Sequence, residues 1–369
     1  MDTALIFRER LLAPSETFIL EQAKALRRYG PVLVGLRRAE SQLRHPFSEI
    51  LLSNGSGLRD KIAARLFRYR PVAPEFFRRL RSVNASVLHA HFAIDGVKAL
   101  PIAGALDIPL VVSLHGYDIT PSDEQLCKTA SGRHYLSHRA QLFARASAFV
   151  CVSQSIRETA LRAGFPEPKL HVHYTGVDCT RFQPGTSDRD PKLILFVGRL
   201  VETKGCEYAI RAMVAVQKKD PDARLEIIGD GPLRQELETL AKGLNVRTNF
   251  LGIQDTYEVQ RRMSRARVLC NPSVTAEGFG MVFAEAQAVG TPVVSCMHSA
   301  IPEAVSHGET GLLCPEREPA ALAEALLTFL QNEALWRQAS ARAVIWVREQ
   351  FNIADQTAKL EKLYDDCRS

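Results

Sequence analysis

No stretch of this chain approaches the roughly 20 consecutive apolar residues that a membrane-spanning helix needs, which argues against a multi-pass channel or transporter. Its cysteines (127, 151, 179, 206, 270, 296, 314 and 367) include no C-x-x-C pair. That removes the usual zinc spacing and the dithiol redox motif, and it suits a reducing compartment better than a disulfide framework. Internal repeats and long low-complexity tracts are also missing, so a solenoid or a fibrous chain is excluded. The opening residues carry an acid at position 2 and only a short apolar run before Arg8. A secretion signal is therefore not expected, and a cytoplasmic location is. Without that signal, the sequons at residues 54–56 and 84–86 carry no meaning.

What is present is ordinary globular material: 369 residues, 46% hydrophobic and 24% charged. By length, two domains are expected. The net charge of +6 conceals an asymmetry. Residues 1–185 hold 25 Lys+Arg against 16 Asp+Glu, whereas residues 186–369 hold 22 against 25. A basic half beside an acidic one suggests that one half meets an anionic surface.

Short, continuously apolar runs alternate with amphipathic stretches. Strands are expected at residues 3–7, 32–36, 86–90, 109–114 and 148–152. In the second half they are expected at 193–197, 225–228, 246–251, 268–270, 292–295 and 311–314. Runs apolar throughout belong to strands covered on both faces, and their alternation with helical patterns (18–29, 232–240) implies parallel sheets. The Pro/Gly/polar stretch 183–191 is the best boundary, and residues 53–57 read as a flexible loop. The expected class is α/β, with two doubly wound Rossmann-like domains facing a central cleft. The expected ranges are 1–184 for the first domain, 185–350 for the second, and 351–369 for a last helical stretch. Ligands of such sheets lie outside the carboxyl ends of the strands.

The strongest constellation lies at residues 271–315, where Glu277 and Glu285 flank Gly278, Phe279 and Gly280 ahead of a helix starting at Met281. N–H groups at a helix start suit phosphate or sugar oxygens, and carboxylates accept separate O–H groups of a diol.

This Glu-x7-Glu segment, with the Gly-Thr-Pro-Val-Val-Ser that follows at 290–295, resembles the signature of retaining glycosyltransferases of family 4, which have the GT-B fold. So do Gly198-Arg199 with Lys204-Gly205, the Gly229-Asp-Gly-Pro turn at 229–232, Phe250-Leu-Gly252 with Ile253, Gly176-Val-Asp178, and Ser-Leu-His-Gly-Tyr-Asp at 113–118. The resemblance covers nearly the whole chain, and it implies that residues 1–184 are the acceptor side and 185–350 the donor side, with the helix of 351–369 crossing back onto the first domain and Trp346 and Phe351 near the crossing. It implies that Arg199 and Lys204 hold the donor diphosphate without a metal, and that Glu285 binds the ribose. It also implies that Glu277 and the N–H groups of Phe279, Gly280 and Met281 hold the sugar, and that His115 supports the transition state. Gly198, Gly229, Gly252 and Ile253 would line the donor site. No resident cofactor is implied; a UDP- or GDP-sugar is the co-substrate. A saccharide or polyprenyl-diphosphate-linked glycan is the acceptor.

The loop at residues 12–19 departs from the paired glycines usual in the family. It resembles the Ser-Glu-Thr-Phe variant of members that build bacterial exopolysaccharides. Ser15 would cap the first helix and face the donor. Glu16 and Thr17, with His91 and Asp118, are the acceptor-side candidates. For His89 and His91, a metal pair and a cleft-lining or structural role both fit the strand spacing. His171 and His173 form a weaker pair. Asp188-Arg-Asp190 matches a metal motif of another transferase fold, but it lies in the linker, where chance explains it.

Residues 59–81 contain seven arginines and Lys61 among Ile62, Leu66, Phe67, Tyr69, Phe76, Phe77 and Leu80. A solvated helix packed on the sheet is one reading. Docking on the inner face of an anionic membrane is the other. No recognition motif points to nucleic acid. Two other functions share this layout: a catalytically silent sugar-nucleotide-binding subunit, and a sugar-nucleotide epimerase.

Overall fold

The computed structural model describes all residues except 14, 15, 41, 42, 54–56, 70, 186–188, 276 and 369, and the side chains of Arg59 and Arg68. Ser15, most of the 53–57 loop with its sequon, and Asp188 of the linker triplet therefore lie outside the described residues. The chain forms two compact units. One is Met1–Gly176 with Ile353–Ser369, and the other is Val177–Asn352.

The first unit contains β1 (Asp2–Leu11), β2 (Tyr29–Arg38), β3 (Glu49–Leu51), β4 (Val87–His91), β5 (Leu110–Leu114), β6 (Ala148–Cys151) and β7 (Leu170–Val172). They make one sheet in the order β3-β2-β1-β4-β5-β6-β7, and every pairing is parallel. Every residue of β4, β5 and β6 is buried, which is why these strands read as largely apolar runs, with His89, His91 and Ser113 the buried polar exceptions. The helix Ile353–Asp366 belongs to this unit and packs Leu360, Leu363 and Tyr364 among Ile19, Leu20, Leu26 and Tyr29.

The second unit contains β8 (Leu193–Val197), β9 (Arg224–Ile228), β10 (Thr248–Gly252), β11 (Val268–Cys270), β12 (Val293–Cys296) and β13 (Gly311–Cys314). Their order is β10-β9-β8-β11-β12-β13, again parallel throughout. The order reverses direction at β8, between β9 and β11, and a doubly wound sheet places its ligand crevice at such a switch point. The core on one face joins Ile194, Phe196, Ile210, Met213, Leu326 and Phe329.

Two strands and one helix end differ from the sequence expectation. β3 and β7 are three-residue edge strands, too short to stand out as apolar runs. β7 covers part of what read as a His-x-His pair. The first helix spans Thr17–Ala25 rather than reaching residue 29. Glu361, far along the chain, accepts the N–H groups of Arg27 and Arg28, both at 2.7 Å, so the backbone turns there and enters β2. The chain enters the second unit at Val177, ahead of the Pro/Gly-rich stretch, because residues 177–182 are already tied to that unit. Val177 N–H donates to the Phe351 carbonyl at 2.7 Å, and Gln260 donates to the Arg181 carbonyl at 2.6 Å.

Candidate functional site

In the second unit, three neighbouring strands end on glycine. Gly198 follows β8, Gly229 follows β9, and Gly252 closes β10. Gly198 N–H donates to the Ile228 carbonyl at 2.9 Å, and Gly229 N–H donates to that of Gly252 at 2.8 Å. A Cβ on Gly229 would lie 1.9 Å from the Gly198 carbonyl oxygen, and its φ is +131°. Only glycine permits this approach and this backbone conformation. Arg199 and Ile253 follow directly, both exposed.

Asn271, 1% exposed at the end of β11, donates its amide to the Val197 carbonyl at 3.1 Å. It ties the ends of β8 and β11 together at the switch point, and sequence reading did not single it out. Beyond it the loop runs to Gly280, whose φ of +80° starts the helix Met281–Ala288. Val274 N–H donates to the Thr203 carbonyl at 3.0 Å, which fastens this loop to the turn Glu202–Lys204. Lys204 Nζ then donates to Glu277 Oε2 at 2.6 Å, and Ser273 Oγ donates to the same oxygen at 3.3 Å. The Glu277 carbonyl accepts from Ser299 Oγ at 3.1 Å. Gly278 is half-buried, as are Met281 and Glu285 on the helix. The Phe279 side chain is buried and meets the Phe351 ring at 4.9 Å. Its ring therefore anchors the loop. The helix starts on a left-handed glycine, and in its first turn the Phe283 N–H donates to the Gly280 carbonyl at 2.9 Å.

In the first unit, β4 and β5 end on histidines. His91 Nδ1 and His115 Nε2 share a hydrogen bond at 3.0 Å, with the rings stacked 5.2 Å apart. His89 is hydrogen-bonded to the Tyr364 hydroxyl at 2.6 Å and to Ser113 Oγ at 2.7 Å. Burial pushes His89 down to about 3, assisted by nearby His173. Burial, and then the charge of Arg8, hold His115 well below the ordinary histidine value, so it is neutral near pH 7. Burial does the same to His91, whose buried Nε2 has no hydrogen-bond partner among the described residues. Phe92 follows His91 with φ +73°, a strained conformation for a side-chain-bearing residue, and its ring lies 4.6 Å from that of His115.

Arg8, on β1, is the residue here that the sequence concealed. It is 7% exposed, ion-paired to both Glu16 and Asp95, and its guanidinium lies 4.2 Å from the centre of the Phe92 ring. Burial would raise the Asp95 carboxyl, but Lys98 and Arg8 overcome it and hold the group below the usual carboxylate range.

The acceptor-side candidates separate accordingly. Glu16 is 6% exposed and committed to Arg8, and it occupies the cap position of the first helix without a side-chain cap bond. Asp118 is fully buried and accepts the N–H groups of Ala93 (2.7 Å), Gly116 (3.0 Å) and His115 (3.2 Å), so it shapes the turn that presents His115. Thr17 is exposed. Among the described residues, no three His, Cys, Asp or Glu side chains cluster as a metal site. No helix there is long and apolar enough to cross a membrane.

Known proteins share this architecture. Residues 15–181 match the model for Glycosyltransferase Family 4, and residues 180–345 match that for Glycosyl transferases group 1. The chain is 34% identical over 259 residues to WcaL of Escherichia coli (strain K12), a protein named for colanic acid biosynthesis. That match covers 67% of this chain and 62% of WcaL. It is 32% identical over 265 residues to the amylovoran biosynthesis glycosyltransferase AmsK of Erwinia amylovora, covering 68% and 62%. The matched segment thus spans under two thirds of each relative's length. Among solved structures, HepE of Anabaena, in complex with UDP and glucose, superposes with a TM-score of 0.80 at 19% identity, covering 99% of this chain and 100% of that one. Sucrose-phosphate synthase of Thermosynechococcus elongatus superposes with a TM-score of 0.78 at 20% identity, covering 99% of each. Two parallel Rossmann-like sheets, the ordered glycine-ended strands and two family models that together run from residue 15 to 345 lead to one conclusion: the chain belongs to glycosyltransferase family 4, of the GT-B fold.

Proposed function

We propose that this protein is a retaining, metal-independent glycosyltransferase. It moves a sugar from a UDP- or GDP-sugar to a saccharide or polyprenyl-diphosphate-linked acceptor, on the cytoplasmic side, in exopolysaccharide or other cell-surface glycan synthesis. The observation that carries the reading is the Lys204–Glu277 pair, held at 2.6 Å where the ends of β8 and β11 meet. Such a pair sets a phosphate-binding cation next to a hydroxyl-binding carboxylate. The names of WcaL and AmsK support the polysaccharide context, and the UDP and glucose bound by HepE support the donor class.

In this reaction the bond between the anomeric carbon and the diphosphate oxygen breaks, and negative charge builds on the leaving group. Arg199 and Lys204 offset that charge, the first as a planar fork and the second as a point charge. Glu277 accepts sugar O–H groups alongside the N–H groups of Phe279, Gly280 and Met281. Glu285 accepts the ribose diol. The acceptor oxygen bonds to the anomeric carbon on the face that the diphosphate leaves, and its proton passes to a leaving phosphate oxygen. No protein nucleophile is required. His115, neutral at pH 7, supports the cationic sugar through its imidazole or its carbonyl without adding a competing charge. On the acceptor side, Thr17 is the exposed member of the candidate set.

The test is turnover with UDP-, GDP- and ADP-sugars, with and without saccharide acceptors and EDTA. Acceptor-dependent release of nucleoside diphosphate, insensitive to EDTA, is expected, and NMR of the new linkage should show the donor's anomeric configuration. Nucleotide release without acceptor conversion would indicate a binding or hydrolytic subunit instead, and an epimerised donor would indicate an epimerase. Glu285→Ala should weaken UDP affinity by about 10- to 100-fold, the worth of hydrogen bonds to a charged group. Unchanged affinity would refute the ribose assignment.

A further inference from the structure

The helix Leu58–Tyr69 turns an apolar face outward. Leu58, Ile62, Leu66 and Tyr69 recur every three or four residues, which places them on one side, and their exposures are 74, 48, 61 and 60%. The opposite side does the packing. Ala64 and Phe67 are buried, and the Phe67 ring lies 5.8 and 6.1 Å from those of Phe76 and Phe77. Val72, just past the helix, is 80% exposed. Among the described residues, twelve large apolar side chains are exposed, and five of them fall between residues 58 and 72. Such crowding marks an interaction surface rather than scattered exposure.

The same helix carries cations: Lys61 and Arg65 are exposed beside the stripe. On the next helix, Pro74–Arg81, the Arg81 guanidinium lies 6.0 Å from the centre of the Phe77 ring, on the packed side. The acids nearby are engaged: Glu75 by Arg78 at 2.6 Å, and Asp60 by Ser53 and the Gly57 N–H. A partner must therefore cover aliphatic side chains and supply negative charge over one surface. Nucleic acid supplies the phosphates but leaves leucine and isoleucine uncovered.

We propose that this face docks on an anionic phospholipid bilayer. Leu58, Ile62, Leu66 and Tyr69 enter the boundary between headgroups and acyl chains, and Lys61 and Arg65 meet lipid phosphates. The sequence drew attention to the arginines of residues 59–81. The structure moves the weight to the apolar stripe, with Arg70 and the Arg68 side chain outside the described residues.

The test is flotation of the full chain with phosphatidylcholine vesicles, alone and mixed with phosphatidylglycerol. It reads binding and is independent of glycosyl transfer. Flotation is expected with the mixed vesicles and is reduced by salt. Lys61→Gln with Arg65→Gln should weaken it about fivefold per cation. Ile62→Ser with Leu66→Ser should abolish it. Leu66→Trp keeps the apolar face, so it should float like wild type, with tryptophan emission that shifts blue and is quenched by brominated acyl chains. Absence of wild-type flotation, flotation of the serine variant, or unchanged emission from Leu66→Trp would each overturn the proposal. So would a dimer in solution that the serine changes dissolve, or nucleic acid binding, when either occurs without flotation.

Discussion

The Lys204 ammonium donates to the Glu277 carboxylate across 2.6 Å, joining the turn after β8 to the loop after β11. The two residues had separate tasks on sequence grounds, one at the diphosphate and one at the sugar. Their contact makes them a single unit. Each restrains the other's side chain before a ligand arrives, so less ordering remains to be done on binding.

That unit should matter far more for turnover than for folding. The side chains are 28% and 15% exposed, so solvent screens the pair and it contributes ~1 kcal/mol or less to stability. Glu277→Gln should melt within a few degrees of wild type while kcat for nucleotide-sugar transfer falls about 100-fold or more. Lys204→Met should act alike, and the double variant should lose less than the product of the two effects. Calorimetry and steady-state kinetics check this. A collapse in melting temperature that accounts for the lost activity would assign the pair a structural role.

Gly229→Ala should be severely destabilising, because its Cβ would meet the Gly198 carbonyl oxygen at 1.9 Å and its φ is +131°. A loss of about 2–4 kcal/mol is expected from strain and backbone displacement. Gly243→Ala is the control. It closes the helix Arg234–Gly243 with nothing within 4 Å of its Cβ, so it should be neutral or stabilising by about 0.5–1 kcal/mol. Urea unfolding of the two variants separates steric conflict from a general intolerance of alanine.

The buried histidines predict acid sensitivity before carboxylates titrate. His89, His91 and His115 are all held below the ordinary value, the first at about 3. Below pH ~6.5 the unfolded chain takes protons that the folded chain refuses. Their contribution is therefore complete above that pH and is lost as pH falls toward the folded values. Each histidine removes up to ~1.4 kcal/mol per pH unit in that window. Thermal midpoints between pH 7 and 5 should fall, and His89→Gln should show a lower starting stability but a shallower slope. An equal slope would show that His89 is protonated alike in both states.

Much of the local geometry of the second unit was legible because its signals are local. The glycines at strand ends, the two glutamates about a helix start, and the cation pair after β8 all sit within short segments whose backbone conformation follows from residue type. Glu16 and Asp118 read as acceptor-side groups because a carboxylate near an active-site turn looks the same whether it faces substrate or protein. Their distant partners, the Ala93 N–H on Asp118 and the Asp95 carboxylate that shares Arg8 with Glu16, appear only once β1, β4 and β5 lie side by side.

By itself the sequence determined the alternation of buried parallel strands and covering helices, since an apolar run or a helical period is a property of neighbours along the chain. It also held the change of charge between the halves, although the net value of +6 hid it. Tertiary structure alone decided which charges are spent internally, as in Arg8 with Glu16 and Asp95, and which apolar face is left uncovered, as on the helix Leu58–Tyr69. Ion pairing and burial depend on residues far apart in the chain meeting in space, so composition and spacing cannot reveal them.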